Sequence, residues 1–420
     1  MEGKSRRDFL KAFSLLAGSS LYISSLPWIK TLQAQDFESG KTNDKVKLGI
    51  IGPGSRGRLL MLHLQQIPGV EISAICDTYQ PNYDLAIEMT NGKAKGFKDY
   101  RKMLDMRELD GVVIATPLYL HAQMTVDALQ AGKHVFCEKA MAMTVEDCYR
   151  MYKTHQETGI ILQIGHQRIF NIKYIKGIEK IKNGELGKVT QIRAYWHRNN
   201  DWRRPVPSPE LERFINWRLY RDYSCGLMTE LASHQIQVAN WVLGELPESV
   251  AGFGSINYWN DGREVYDNVN LVFNYPGGVK LVYDSMISNA HYGLEEQVLC
   301  SEGTMELESG KFYIENPPPA PGIIQLLNHL EHQIFDNVPL GGASWVPDDP
   351  NKDKGNYIMN KVIDSDGTGP QMEAFVNSVR EGKPIKGMAE EGYNSSVPTL
   401  MGYNAILGEK IVKWPDEYRI

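Results

Sequence analysis

Hydrophobic positions fall into two regimes along the chain. From Val46 to Ile164, short apolar runs alternate with segments whose apolar residues recur every three or four positions. The runs are Val46–Ile51, Val70–Cys76, Asp110–Ala115, His134–Cys137 and Ile160–Ile164, each suited to a strand buried on both faces. Between them, Leu59, Leu60, Leu62, Leu64 and Ile67 trace one helix. His121–Ala131 traces another and ends at Gly132, a residue type favoured just past a helix. Thr144 followed by Glu146 and Asp147 reads as a capped helix start. This alternation predicts an α/β fold with a doubly wound parallel sheet, in which ligands bind at the carboxyl ends of strands. Those ends carry Gly52–Gly57, Asp77, Thr116-Pro117, Glu138-Lys139 and His166-Gln167. Further on, Val250–Asn257, Asn268–Asn274, Val279–Ser288, Glu296–Ser301 and Thr304–Glu308 are strand-like, with turns at Pro276-Gly277-Gly278 and Glu302-Gly303.

The first apolar run leads into Gly52-Pro53-Gly54-Ser55-Arg56-Gly57, a G-x-G-x-x-G between strand and helix. The first glycine permits a tight turn, the second lets backbone approach a pyrophosphate, and the third lets helix pack on strand. Ser55 and Arg56 open the helix whose N–H groups would face the phosphates. Asp77 closes the second strand 20 positions beyond Gly57, where a carboxylate binds ribose hydroxyls. A 2′-phosphate would meet a like charge there, so NAD is expected rather than NADP.

Before this unit the chain reads Ser5-Arg6-Arg7-Asp8-Phe9-Leu10-Lys11, then a weakly apolar stretch from Ala12 to Trp28. The stretch is too short and polar for a membrane span. Paired arginines before Phe-Leu-Lys resemble a twin-arginine export signal, with Leu32-Gln33-Ala34 as a cleavage region. Residues 1–34 are therefore expected to be a signal and 35–45 a linker. Residues 46–167 form the dinucleotide-binding domain, and residues 168–420 a second α/β domain whose last helices can pack back on the first. The expected location is the periplasm.

Composition narrows the partners. The 420 residues carry 45 Lys and Arg against 51 Asp and Glu, a net charge of −6. That balance gives no footprint for nucleic acid or anionic membrane. Five cysteines without a C-x-x-C exclude a zinc or disulfide framework, and no metal is expected. The segment Trp196–Tyr223 is dense in Arg, Trp, Tyr and Asn, suited to stacking on a polyhydroxylated ligand. An interdomain or oligomer contact is the equal alternative. The loop from Pro317 to Gly355 is long enough for a lid or a partner contact.

Ala115–His121 (ATPLYLH), Ala128–Ala140 (ALQAGKHVFCEKA), Gly165–Asn171 (GHQRIFN), Ser224–Gly244 and Met372–Ile385 resemble the Gfo/Idh/MocA family of NAD(P)-dependent oxidoreductases. The resemblance implies a Rossmann domain followed by an α/β domain with an open, mainly antiparallel sheet, whose free face commonly forms a homo-oligomer interface. It places Lys139 in the family's E-K-P motif, near nicotinamide and substrate. There a cation polarises an alcohol or carbonyl oxygen. Ala140 replaces the motif's proline. A cis bond before alanine would cost about 3 kcal/mol, so a trans turn is expected. Glu230 and His234 match the family's D-x-x-x-H pair, and spacing of four puts both on one helix face. His234 would accept a hydroxyl proton and Glu230 would orient substrate. Thr116, Pro117, His121, Glu138 and Gln167 match cofactor-side positions; His166, Gln167 and Arg168 would meet nicotinamide or substrate. Trp217, Arg218, Tyr220 and Arg221 are the first candidates for substrate contact.

The function implied is hydride transfer between NAD and a hydroxyl carbon of a sugar, cyclitol or glycoside, with NAD held tightly because export removes the free pool. The alternative is a glycosidase that oxidises C3, eliminates the aglycone, adds water and reduces C3 back. Retention of Lys139 favours the dehydrogenase. A non-catalytic sugar-binding role is least favoured, because Lys139 and His234 are both intact.

Overall fold

The structure, a computed structural model, describes residues 45–315, 355–359 and 365–420. The twin-arginine segment, its cleavage region and nearly all of the linker and the 317–355 loop lie outside the described residues.

The first unit runs β1 (Val46–Ile51), α1 (Ser55–Leu64), β2 (Val70–Cys76), α2 (Gln80–Met89), β3 (Lys95–Phe97), α3 (Tyr100–Leu104), β4 (Gly111–Ile114), α4 (His121–Gln130), β5 (His134–Cys137), α5 (Val145–Thr158) and β6 (Leu162–Ile164). Its six strands are parallel in the order β3-β2-β1-β4-β5-β6. The order reverses direction between β1 and β4, which opens a crevice at the carboxyl edge. β4 is buried at every position, as expected of a strand covered on both faces. The Thr144 side chain accepts the Asp147 N–H at 3.1 Å and caps α5.

The second unit contains α6 (Ile172–Lys182), β7 (Val189–His197), a π-helical turn at Met228–Ala232 leading into α7 (Ser233–Leu243), then β8 (Ser249–Ser255), β9 (Asn268–Asn274), β10 (Lys280–Met286), β11 (Leu294–Cys300), β12 (Gly303–Glu306), β13 (Lys311–Ile314), β14 (Asn356–Tyr357), α8 (Thr368–Glu381), α9 (Met388–Gly408) and β15 (Val412–Lys413). Its nine strands are ordered β14-β13-β12-β11-β7-β10-β9-β8-β15. Only the β7–β10 pair is parallel; the other pairings are antiparallel. β7 alternates, with Ile192 and Ala194 turned toward the buried side, and lies at the centre of this sheet.

Two late helices tie the units together. α8 contributes Met372, Phe375, Val376 and Val379 to the same buried cluster as Val46, Leu48, Ile50 and Phe136 of the parallel sheet. The Phe375 and Phe136 rings meet edge-on at 5.8 Å, a geometry worth more than area burial alone. α9 packs against α5, β6, α7 and β8. Gly392 makes the contact with β6 possible, since a Cβ there would stand 2.3 Å from Ile164.

Phe375→Ala should therefore destabilise the dinucleotide-binding unit itself, by about 3–5 kcal/mol. Urea unfolding followed through NAD binding checks this; a midpoint equal to the unsubstituted chain's would mean that α8 is dispensable to that core.

Candidate active site

A cavity of about 600 Å³ opens at the carboxyl edge of the parallel sheet, between it and the second unit. Arg56 of the glycine turn lines it. Gly52 has φ +79, and a Cβ on it would meet Thr116 at 2.7 Å, so glycine is required there. A Cβ on Gly57 would lie 2.6 Å from the Gly52 carbonyl, so the third glycine lets α1 seat on the turn. A side chain at Gly54 would project into open space, with nothing nearer than 4.0 Å. Gly54 is also the N-cap of α1 and supplies no side-chain cap, which leaves the first N–H groups available to an anion. Asp77 follows β2, and its Oδ1 accepts the Tyr79 N–H at 2.7 Å. Burial raises its carboxyl above the ordinary value, against the pull of that N–H and of Asn82. These features fit a dinucleotide: turn, open N-terminus and distal carboxylate stand in the order it requires.

Lys139 leaves the end of β5 and crosses to the second unit. Its Nζ donates to the carbonyls of Glu230 (2.8 Å) and Thr229 (3.1 Å). The π-helical turn makes this possible. The Ser233 N–H reaches back to the Met228 carbonyl instead of to Thr229, so the Thr229 carbonyl takes the ammonium and the Ser233 hydroxyl. Burial lowers the Lys139 pKa, while Glu230 and Glu138 pull it the other way. Burial would by itself raise the Glu230 carboxyl, but Arg218 and Lys139 hold it below the usual range. Arg218 Nε donates to Glu230 at 2.7 Å. The Lys139–Ala140 peptide is cis, where alanine led to an expectation of trans. Partners on both sides hold it: the Ala140 carbonyl meets His121 Nδ1 at 2.9 Å, and the Met141 N–H donates to Ser396 Oγ at 3.0 Å.

Glu230 and His234 both line the cavity. His234 is 5% exposed, and its pKa falls well below the ordinary imidazole value through burial, then through Lys139 and Arg168. It is therefore neutral at neutral pH. Thr116 Oγ1 and Gln167 Oε1 are buried cavity atoms without a hydrogen-bond partner in the protein, and so point to a polar ligand. His121 lines the cavity with Nδ1 2.9 Å from the Ala140 carbonyl and Nε2 3.0 Å from the Thr116 carbonyl, and its neutral ring donates to one of the two, between the turns after β4 and β5. Glu138 binds Arg56 at 2.7 Å.

Of the four first candidates for substrate contact, Trp217 and Arg218 line the cavity and Tyr220 and Arg221 do not. The Tyr220 hydroxyl donates to Glu212 at 2.8 Å, and Arg221 Nε donates to the Glu264 carbonyl at 2.8 Å. The backbone turns at Trp217–Leu219 and becomes extended at Tyr220, which carries the later side chains away. Trp196, Arg198, Asn200, Trp202, Arg203 and Arg204 take their place on the wall. They come from the same Arg- and Trp-rich segment, whose density was the signal, but its order alone does not reveal which half faces the ligand. Trp202 holds φ +62, rare for a non-glycine residue, and its N–H donates to Asn200 Oδ1 at 2.6 Å. Arg56, Arg203 and Arg218 are paired with carboxylates. Arg198 and Arg204 have no ion pair among the described residues. The cavity is thus net positive, as a pyrophosphate requires. Among the described residues no group of His, Cys, Asp and Glu could hold a metal.

Residues 46–166 match the family model described as "Oxidoreductase family, NAD-binding Rossmann fold", and residues 175–306 match the GFO/IDH/MocA C-terminal domain. The chain belongs to the Gfo/Idh/MocA oxidoreductase family. A myo-inositol 2-dehydrogenase from Thermotoga maritima is 24% identical over 86% of this chain and 95% of its own length. A glycosyl hydrolase family 109 protein from Stenotrophomonas maltophilia is 28% identical over 46% of this chain and 42% of its own. The chain spans less than two thirds of the length of several curated relatives that it matches. The fold is shared with scyllo-inositol dehydrogenase from Lactobacillus casei with bound NAD(H) and scyllo-inositol, at TM-score 0.65, 18% identity, 88% of this chain and 99% of the other.

Gly52→Ala should abolish the turn, because the added methyl collides with Thr116 at a positive φ. NADH affinity measured by nicotinamide fluorescence is expected to fall at least about tenfold, a loss of roughly 1.4 kcal/mol; unchanged affinity would place the pyrophosphate elsewhere.

Proposed function

We propose that the protein is an NAD-dependent dehydrogenase that moves a hydride between nicotinamide and a hydroxyl-bearing carbon of a sugar, cyclitol or glycoside. The observation that carries this is the convergence of the Lys139 ammonium and the His234 imidazole, from different units, on one cavity beside the glycine turn. Bound NAD supplies the hydride acceptor; Gly52, Gly54, Ser55, Arg56 and Gly57 would hold its pyrophosphate and Asp77 its ribose. Two of the three Lys139 protons are engaged by carbonyls. The third remains to hydrogen-bond a substrate oxygen and stabilise negative charge as that oxygen loses its proton. His234 is neutral and can take that proton. Glu230, fixed by Arg218, positions a neighbouring hydroxyl. Trp196, Trp202 and Trp217 offer faces for a sugar ring, and Arg198 and Asn200 offer donors to its hydroxyls.

The twin-arginine resemblance of residues 5–11 supports export to the periplasm, with NAD loaded beforehand and held tightly. The outward face of the nine-stranded sheet carries Phe253 at 70% exposure with Val272 and Tyr292, which supports a second copy of the chain covering it. No helix among the described residues is long and apolar enough to cross a membrane. The family 109 relative supports a second reading, glycoside cleavage by transient oxidation, but the buried Lys139 favours net oxidation.

Lys139→Met and His234→Ala should bind NAD normally while turnover on a sugar and cyclitol panel, followed by nicotinamide absorbance, falls about 10²–10⁴-fold. Unsubstituted turnover in both variants would remove Lys139 and His234 from the chemical step. Release of nitrophenol from chromogenic glycosides without net cofactor reduction would replace the dehydrogenase with the glycosidase.

A further inference from the structure

We propose that the proton accepted by His234 leaves the cavity through the protein interior, by way of His166, to the carboxylate of Glu391 on α9. The proposal rests on the reading of His234 as proton acceptor.

Three buried groups form the line. His166 follows β6 with its side chain fully buried, and its ring stands edge-on to that of His234, centroids 6.1 Å apart. Its Nδ1 lies 3.8 Å from Glu391 Oε2. His234 Nδ1, both nitrogens of His166 and Glu391 Oε2 are all buried without a hydrogen-bond partner in the protein. Buried polar atoms of this kind are nearly always hydrogen-bonded, and 3.8 Å is a separation that one bridging water spans. Among the described residues, neither His166 nor Glu391 walls the cavity, so the line leads away from the substrate. Glu391 keeps 13% of its side chain exposed, although its Oε2 is itself buried.

The charges set the direction of flow. His166 is faced by Lys139 from the turn after β5, Arg168 from its own turn, His234 from α7 and Glu391 from α9. Burial and then those two cations push its pKa down to about 3. His234 is depressed by burial and by the same cations. Both imidazoles therefore hold a proton poorly and pass it on. Glu391 is faced by His166, by neutral Gln237 from α7 and by Ser395 of its own helix; α5 presents Tyr152 to the adjacent Glu390. Burial pushes the Glu391 carboxyl up to about 7, against the hydrogen bond from the Ser395 hydroxyl. It is the best proton acceptor of the three.

The balance is simple. As the alcohol becomes a carbonyl, its carbon gives up hydrogen with both bonding electrons to the nicotinamide, and its oxygen gives a proton to His234. That proton moves to His166, then to Glu391, then to water, and each group returns to its starting state. Oxidation then requires ionised Glu391 and should quicken as pH rises through about 7.

The test is the single-turnover rate of cofactor reduction across pH, with the sugar or cyclitol that the full-length protein oxidises. Glu391→Gln should slow it about tenfold or more, abolish the inflection near pH 7 and leave NAD affinity unchanged. His166→Gln should do the same, and Glu391→Asp should restore the inflection. Wild-type rates and pH profile in both Gln variants would overturn the relay alone. Should Glu391→Gln no longer bind NAD, His166→Gln and Glu391→Asp decide the matter. A wild-type protein that binds NAD but oxidises no sugar or cyclitol would overturn the hydride-transfer reading, and the relay with it.

Discussion

A primary ammonium withdrawn from water has to be met by oxygen atoms, and the site is arranged around that demand at Lys139. The side chain starts on the parallel sheet and finds its acceptors on the other unit, at the Thr229 and Glu230 carbonyls. An unbroken α-helix would keep the Thr229 carbonyl for its own ladder; the wider turn at Met228–Ala232 releases it. The same turn sets Glu230 and His234 on the cavity wall. Loss of the wide turn would therefore cost the ammonium its seat and re-aim both neighbours.

Much of this was legible in the chain. The strands of the first unit could be read because a parallel strand covered on both faces is a continuous apolar run, and Val46–Ile51, Val70–Cys76 and His134–Cys137 have the bounds expected from the sequence. The glycine turn was legible because only glycine tolerates those contacts. β7 was not. Its sheet neighbours β10 and β11 lie about a hundred positions later, so no local hairpin signal marks it. Its last residues, Trp196 and His197, also merge into the Arg- and Trp-rich segment. The π-helical turn was illegible for a related reason: Glu230 and His234 are four apart in either geometry, and nothing in their spacing betrays the wider turn.

The limits at the site follow the same logic. Spacing identifies the residues at strand ends, where Thr116, Glu138, Lys139 and Gln167 all reach the cavity. It does not resolve an irregular segment, where one extended residue at Tyr220 turns side chains from ligand to neighbouring carboxylate. Nor does it show that Ala140 sits in a cis turn, because the contacts that hold this turn come from His121 and from Ser396, far along the chain. Long-range partners overrode a sound local expectation.

The seating of α8 in the core of the parallel sheet has a consequence for how the chain acquires its shape. Phe136 and Phe375 stand more than two hundred positions apart. A ribosome finishes every strand of the nucleotide-binding unit well before the helix that seals it emerges. Until then the face around Phe136 lacks the apolar cover that α8 supplies, and premature association there is the hazard of such a long-range closure. The two units are therefore not independent beads on a string: the first is completed by the tail of the second.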